Sequence, residues 1–387
     1  MLHSLKIKNF RLLQNFQVDK LGHVNLIVGK NNSGKSTVLE ALQIFAGNAN
    51  SLLLQEIAAS HDEKFRIEED SINANTIFPF EDFFTGRQFP KDDTTKIEIG
   101  EINANSSQLL QIQHIFVVEE ETTITESLAG SVTKVERRVV SPSEFEKIEN
   151  EPIRPALLVT KEEKTTIISL DNRNRYNRLM SRDNYSIPCS TIPTQFLSID
   201  ELADEWDKIV FRQEEEDIVI KAMQIIEPDF QNITFVNDDE FRSVTGRKIS
   251  KRLPKVKMSG LSRPVSLNSL GDGMLRVFQL VLKTFPAKGG FLLIDEFENG
   301  LHYSVQEKIW TLLFTLSEKL NIQIFATTHS WDCIESFSKV AREQKDIEGV
   351  LFRVGKSVRQ SNHGQIIATV FNEEQLYSIT QSDVEVR

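Results

Sequence analysis

Apolar residues recur along this chain in two rhythms, and their order predicts the architecture. VNLIV (Val24 to Val28), FLLID (Phe291 to Asp295) and IQIFATT (Ile322 to Thr328) are short, nearly unbroken apolar runs. Such runs suit strands buried on both faces of a parallel sheet. SLKIKNF (Ser4 to Phe10) alternates, and 16–28 alternates or runs apolar, so both read as strands. TVLEALQIF (Thr37 to Phe45) carries Val38, Leu39, Leu42 and Phe45 on one side of a helix that should end near Gly47. SVQEKIWTLLFTLSEKL has the same helical spacing, and a further helix is predicted around Ser51 to Ala59.

Between these ends the rhythm changes. From 96 to 170, KIEIGEI, IQHIFVVEEE, KVERRVV, ALLVT and TTIISL read as short β-segments. Residues 198–226 turn helical, with Leu202, Trp206, Ile209 and Val210 on one face and Ile218, Ala222 and Ile225 on another, until Pro228. A strand-rich piece follows over 232–267. Strand–helix alternation at both ends predicts an α/β fold whose parallel sheet draws on both chain ends. The expected division is 1–95, an inserted β-rich and helical region 96–260, and 261–387. No internal repeat or sustained heptad run is present.

Composition narrows the class. The 387 residues are 40% hydrophobic and 26% charged, ordinary for a globular protein with a substantial core. No apolar run approaches a membrane span, and the N-terminus lacks a signal-peptide core. Two cysteines, Cys189 and Cys333, exclude a disulfide framework and suit a reducing compartment, so a cytoplasmic protein is expected. The net charge of −11 argues against a large nucleic-acid footprint, though not a local one. Two basic segments leave that open: Arg173, Arg175, Arg178 and Arg182 beside Tyr176, and Arg242, Arg247, Lys248, Lys251, Arg252, Lys255 and Lys257.

The chemistry begins at GKNNSGKST, residues 29–37. Gly29, Gly34, Lys35 and Ser36 match the phosphate-loop pattern, and Asn31, Asn32, Ser33 and Thr37 complete the segment. Glycines let backbone N–H groups face phosphate oxygens, Lys35 would reach the terminal phosphates, and Ser36 would bind Mg²⁺. The apolar strand before the loop and the helix after it supply the order that mechanism needs. Asp295 and Glu296 close the strand FLLIDE, which places them at the sheet edge that carries the loop. Asp295 is the candidate Mg²⁺ ligand, and Glu296 the candidate base for an attacking water. In SLGDGMLRVF, Ser269, Gly271 and Gly273 stand at a helix start, a natural anion site. His329 follows the strand IQIFATT and could contact a phosphate or position the water.

In this order, GKNNSGKST, SLGDGM, LLIDEFENGLH and ATTHS resemble the ABC-type ATPases that include SMC and RecF heads. With LKIKNFRLL, LEAL, ENGLH and THSWD they look most like the overcoming-lysogenization-defect (OLD) family and its stand-alone ATPase relatives. The resemblance implies ATP and Mg²⁺ as cofactors, with two heads pairing head to tail. Ser269, Gly271 and Gly273 of one copy would then complete the site formed by the phosphate loop of the other. It further implies that Asn299, with Glu298 and Gly300, lies at the dimer seam, that His329 is the switch histidine, and that Arg11 lies near the nucleotide. The glutamine that links nucleotide to Mg²⁺ in such heads has three candidates, Gln108, Gln111 and Gln113. The signature reads SLGDG rather than LSGGQ. OLD nucleases continue into a Toprim domain, and the roughly 60 residues after His329 are too few for one.

The expectation is therefore a homodimeric or higher even-numbered Mg²⁺-dependent ATPase. It would act as a sensor in phage defence or DNA metabolism, beside a separately encoded effector such as a Toprim-type nuclease. The alternatives are an ATP-dependent clamp with little hydrolysis, a transporter energy subunit, and a nuclease in its own right. The long β-rich insertion speaks against the transporter, and Glu119, Glu120 and Glu121 read as a solvated strand end rather than a metal cluster.

Overall fold

In the computed structural model, which describes residues 1–61, 66–67, 76–77, 79–126, 130–145, 153–170, 187–238, 251–371 and 375, the two apolar rhythms resolve into stacked sheets. β1 (Leu5–Phe10) and β2 (Leu13–Val18) form a hairpin; β3 (Val24–Val28), α1 (Lys35–Ala46) and α2 (Ser51–Ser60) follow. β4 (Arg66–Ile67) and β5 (Thr76–Ile77) are short. Next come β6 (Ile97–Gly100), β7 (Leu110–Glu126), β8 (Gly130–Val140), the single turn α3 (Pro142–Phe145), β9 (Ile153–Lys161) and β10 (Lys164–Ser169). β11 (Cys189–Ile192) leads to α4 (Ile199–Ile209), α5 (Gln213–Met223), β12 (Phe230–Asp238), β13 (Lys251–Met258) and β14 (Val265–Ser266). The last segments are α6 (Asp272–Leu282), β15 (Phe291–Ile294), α7 (Tyr303–Lys319), β16 (Gln323–Thr328), α8 (Trp331–Glu343), β17 (Gly349–Lys356) and β18 (Ile366–Phe371).

The central sheet has the order β11-β15-β16-β3-β17-β18, so it draws on both ends of the chain. Its pairs are parallel except β17 with β18. Side chains alternate between its faces. Leu26, Leu292, Ile324 and Leu351 enter one core, shared with α4 to α8. Ile27, Leu293, Phe325 and Phe352 enter the other, shared with α1 and the second sheet. A strand buried on both faces meets a core on each side, which is why FLLI is unbroken and VNLIV is broken only at Asn25, whose buried amide is hydrogen-bonded.

The second sheet is antiparallel, in the order β10-β9-β7-β6-β1-β2 with β8 paired to β7. The β-rich stretch from 97 to 169 thus pairs with the N-terminal hairpin, through β1 and β6. β11 falls within the 96–260 span read as inserted, yet it forms an edge of the central sheet. A separate three-stranded sheet, β12-β13-β14, packs on α4 through β13 and on α5 through β12.

Buried amides lock the chain ends together. Gln323 accepts from the Leu2 N–H at 2.9 Å and donates to the carbonyls of Leu2 (2.7 Å) and Gly22 (2.9 Å). Asn25 donates to the carbonyl of Ile324 at 3.1 Å. In a low-dielectric interior, such satisfied networks fix strand register as well as adding stability.

Trp310 is fully buried, with its ring 3.8 Å from Phe297 and 5.1 Å from Phe337. Phe297 directly follows Glu296, so this stack anchors the loop beyond β15. Replacing Trp310 with Ala should cost about 3–5 kcal/mol of unfolding free energy. Urea unfolding checks this, with the midpoint expected to fall at an unchanged slope.

Candidate functional site

The carboxyl ends of β3, β11, β15 and β16 lie side by side, and the candidate chemistry gathers there. From β3 the chain turns through residues 29–34 into α1. The turn leaves no room for a side chain at its first residue: a Cβ on Gly29 would stand 2.3 Å from the Val354 carbonyl oxygen. Gly34 has φ +102°, a region open to glycine.

No side chain caps the N-terminus of α1, whereas Asn50, Ser198, His302 and Ser330 cap α2, α4, α7 and α8. α5 also lacks a side-chain cap but carries Glu214, Glu215 and Glu216 in its first turn. α6, which starts at Gly271, lacks one as well, with the single acid Asp272 in its first turn. Uncapped helix starts present N–H groups and a positive dipole end, which suits anions.

Lys35, on the first turn of α1, is 9% exposed and folds back onto the carbonyls of Gly29 (2.8 Å) and Lys30 (3.2 Å). Burial pulls its pKa below the ordinary lysine value, while Asp295, Glu296 and Glu298 oppose that shift. The hydroxyl of Ser33 is buried with no partner among the described residues, and it belongs to the same loop.

Asp295 is the hub. Its carboxylate accepts from Ser36 at 3.1 and 3.2 Å, from Thr194 at 3.1 Å and from Thr327 at 2.6 Å. Thr327 Oγ1 also accepts the Glu296 N–H at 2.8 Å. Arg276, fully buried on α6, donates to the carbonyls of Pro193 (3.0 Å), Asp295 (2.9 Å) and Glu296 (2.8 Å). Burial lowers its pKa to about 10, against the pull of Glu298, Asp295 and Glu296. Glu298 accepts from the His329 N–H at 3.0 Å and lies 3.2 Å from His329 Nδ1. Glu296 is 3.8 Å from the same nitrogen.

The predicted residues fall into two groups. Arg11, Asn31, Asn32, Ser33, Gly34, Lys35, Ser36, Thr37, Asp295 and Glu296 line one open cavity of about 980 Å³. Gly29 lies beneath it, under the Lys35 ammonium. Arg11, in the β1–β2 turn, pairs with Glu40 of α1 at 3.0 Å and lies over the Phe83 ring. Ser269, Gly271, Gly273, Asn299 and His329 lie outside the cavity. Ser269 turns its hydroxyl to the Ser266 carbonyl at 2.6 Å, and Gly273 packs against Gly300. Asn299 donates to the Thr194 carbonyl at 2.5 Å. Glu298, bonded to His329 and close to the Asp295–Glu296 pair, bridges the groups.

Gln108, Gln111 and Gln113 do not reach the cavity: Gln108 accepts from Asn105, Gln111 bonds Ser106 and Gln113 bonds the Asp93 carbonyl. Gln14, His61, Arg87 and Lys356 do line it, and sequence reasoning passed over them. It passed over Thr194, Thr327 and Arg276 too. Thr327 carried a signal, a hydroxyl at the end of an apolar run; Thr194 carried none.

Of the basic residues, 173–182 and Arg242 to Lys248 lie outside the described residues. Arg252 is held by Asp207 at 2.7 and 2.8 Å and by the Phe235 ring. The side chains of Glu119, Glu120 and Glu121 also lie outside, and no cluster of three His, Cys, Asp or Glu placed to hold a metal occurs among the described residues.

The donors suit the groups that the sequence implies. Ser36 and Asp295 offer the hard oxygen atoms that Mg²⁺ prefers, and the Ser33 hydroxyl and the bare start of α1 offer donors to phosphate.

The AAA ATPase domain profile matches residues 1–244 and 194–334. This chain belongs to the AAA ATPase domain family, and its fold is an α/β P-loop ATPase fold. A Helicobacter pylori protein called ATP/GTP phosphatase is 24% identical over 350 residues, which cover 89% of each chain. An uncharacterised Methanocaldococcus jannaschii protein is 47% identical over 45 residues, 12% of this chain and 20% of that one. Among solved structures, an SMC head bound to the C-winged helix domain of ScpA aligns at TM-score 0.49 and 14% identity, over 97% of this chain and 99% of that one. The SMC head domain of Thermotoga maritima aligns at 0.41 and 13%, over 96% and 99%.

The buried Lys35 sets a pH dependence. With its folded pKa lowered, the folded state releases that proton first, so the charge destabilises the nucleotide-free protein below the folded value. The penalty is relieved as pH rises from that value to the ordinary 10.5. Thermal unfolding of wild type and Lys35→Met should therefore show wild type gaining stability relative to the variant as pH rises through this window.

Proposed function

We propose that this protein is a Mg²⁺-dependent ATPase of the OLD-like, ABC type, active as a head-to-tail dimer. One observation carries the reading: α1 and α6 both start without a side-chain cap, yet only the first opens into the cavity with Asp295 and Glu296. A nucleotide seated on one phosphate loop therefore leaves the second anion site of its own chain unused. The two segments can serve one nucleotide only if they come from different copies.

In this reading the N–H groups of 29–37 hold the phosphates, and Lys35 moves from the Gly29 carbonyl to the terminal phosphate. Ser36 and Asp295 would hold Mg²⁺, which when bound would neutralise charge on the phosphate oxygens. Glu296 accepts a proton from the attacking water, giving ADP and phosphate. His329, steadied by Glu298, faces the seam beside Glu296. Ser269, Gly271, Gly273 and Asn299 reach the nucleotide of the other copy. The name of the Helicobacter relative, ATP/GTP phosphatase, supports the hydrolytic reading.

The phrases ENGLH and THSWD support placing the chain with the OLD group. We take its setting to be the cytoplasm, as a sensor in phage defence or DNA metabolism with a separately encoded nuclease. No helix among the described residues is long and apolar enough to cross a membrane.

Complementation tests the shared site. Lys35→Ala and Ser269→Arg should each lack ATP turnover. Mixed and allowed to exchange, they form heterodimers with one intact site, restoring roughly a quarter of wild-type activity. A mixture as inactive as its components would overturn the shared site, and wild-type turnover by Lys35→Ala would overturn the ATPase itself.

A further inference from the structure

Glu296 has an unusual backbone. Its φ is +48°, the left-handed region that residues with a side chain enter at a cost. Such a conformation persists only where the surroundings fix it, and here both peptide groups are fixed. Thr327 Oγ1 takes the Glu296 N–H at 2.8 Å, and Arg276 Nη2 donates to the Glu296 carbonyl at 2.8 Å. The same nitrogen holds the Asp295 carbonyl at 2.9 Å, and Nη1 holds Pro193 at 3.0 Å.

Arg276 is an expensive choice for packing alone. It is 0% exposed, and the hydrogen bonds its guanidinium donates go to neutral carbonyls. A buried cation is costly even with the Glu298, Asp295 and Glu296 carboxylates nearby, and an apolar side chain would fill the same volume more cheaply. What the guanidinium adds is a planar fork that spans carbonyls from two strand ends, after β11 and after β15. A lysine ammonium cannot reproduce that geometry.

We infer that Arg276 is a positioning residue for hydrolysis: it locks the Asp295 and Glu296 carbonyls so that the Glu296 carboxylate faces the cavity. The inference rests on the reading of Glu296 as the base. Arg276 lies one turn into α6, whose first residues are Asp272 and Gly273. The clamp therefore ties the strand end that carries the base to the helix proposed to meet the other copy's nucleotide. Displacement of that helix would be felt at Glu296 through a single side chain.

The test uses the full chain, with ATP turnover, binding of a fluorescent ATP analogue and thermal unfolding measured for Arg276→Lys, Arg276→Gln, Glu296→Gln and the double variant Arg276→Lys/Glu296→Gln. Arg276→Lys should lower kcat roughly tenfold or more while nucleotide affinity stays within about twofold. On the Glu296→Gln background it should lower turnover no further, because both changes act on one group. Wild-type kcat, an affinity loss matching the kcat loss, or losses that multiply in the double variant would overturn the proposal. So would loss of the folded state in both Arg276 variants, which would assign Arg276 to structure alone. Failure of the underlying reading is seen separately, as wild-type turnover by Glu296→Gln.

Discussion

The Asp295 carboxylate is the point on which the rest of this structure turns. It directly follows β15, and it gathers hydroxyls from Ser36 at the start of α1, Thr194 after β11 and Thr327 near the end of β16. The strand order β11-β15-β16-β3 makes this possible, because it sets these ends in a row. Hydrogen bonds to a charged group are each worth about 1.5–3 kcal/mol. The carboxylate thus holds the phosphate loop to the sheet edge before any ligand arrives. The hydroxyl of Ser36 and the carboxylate of Asp295 are at the same time the oxygen atoms that a hard cation would use.

A second constraint concerns helix starts. Most long helices here begin on a capping side chain, as at Asn50, Ser198, His302 and Ser330. The helices that begin at Gly34 and Gly271 do not, and their flanking sequences are the glycine-rich ones. Bare N–H groups are tolerable in water but are better matched to an anion. Their separation on one chain is what gives the proposed pairing of two copies its physical content.

Much of this was legible in the sequence. VNLIV and FLLI read as buried strands because two cores demand apolar residues on both faces. GKNNSGKST and the acids after FLLI are local signals, and the sheet brings them together as expected. Other parts were hidden by being non-local. β11 is four residues between Pro188 and Pro193, too short to show a period, and it is a strand only because β15 supplies a partner. The pairing of β6 with β1, across some ninety residues, left no mark in either segment. Arg276 lies in an amphipathic helix where a charge reads as a solvated position, and nothing nearby announces three buried carbonyls. No motif marks the Gln14, Arg87 and Lys356 side of the cavity, since these residues come from β2, the loop before β6 and the end of β17.

The central claim is that this chain carries half of a nucleotide site twice over, and the mass of the protein in solution tests it most directly. Glu296→Gln should hold ATP and consume it only slowly, so the composite site, once closed, should stay closed during the measurement. Light scattering on this variant should give a monomer without nucleotide and a dimer with ATP and Mg²⁺. A mass that ATP leaves unchanged at the monomer value, with ATP bound, would contradict the account.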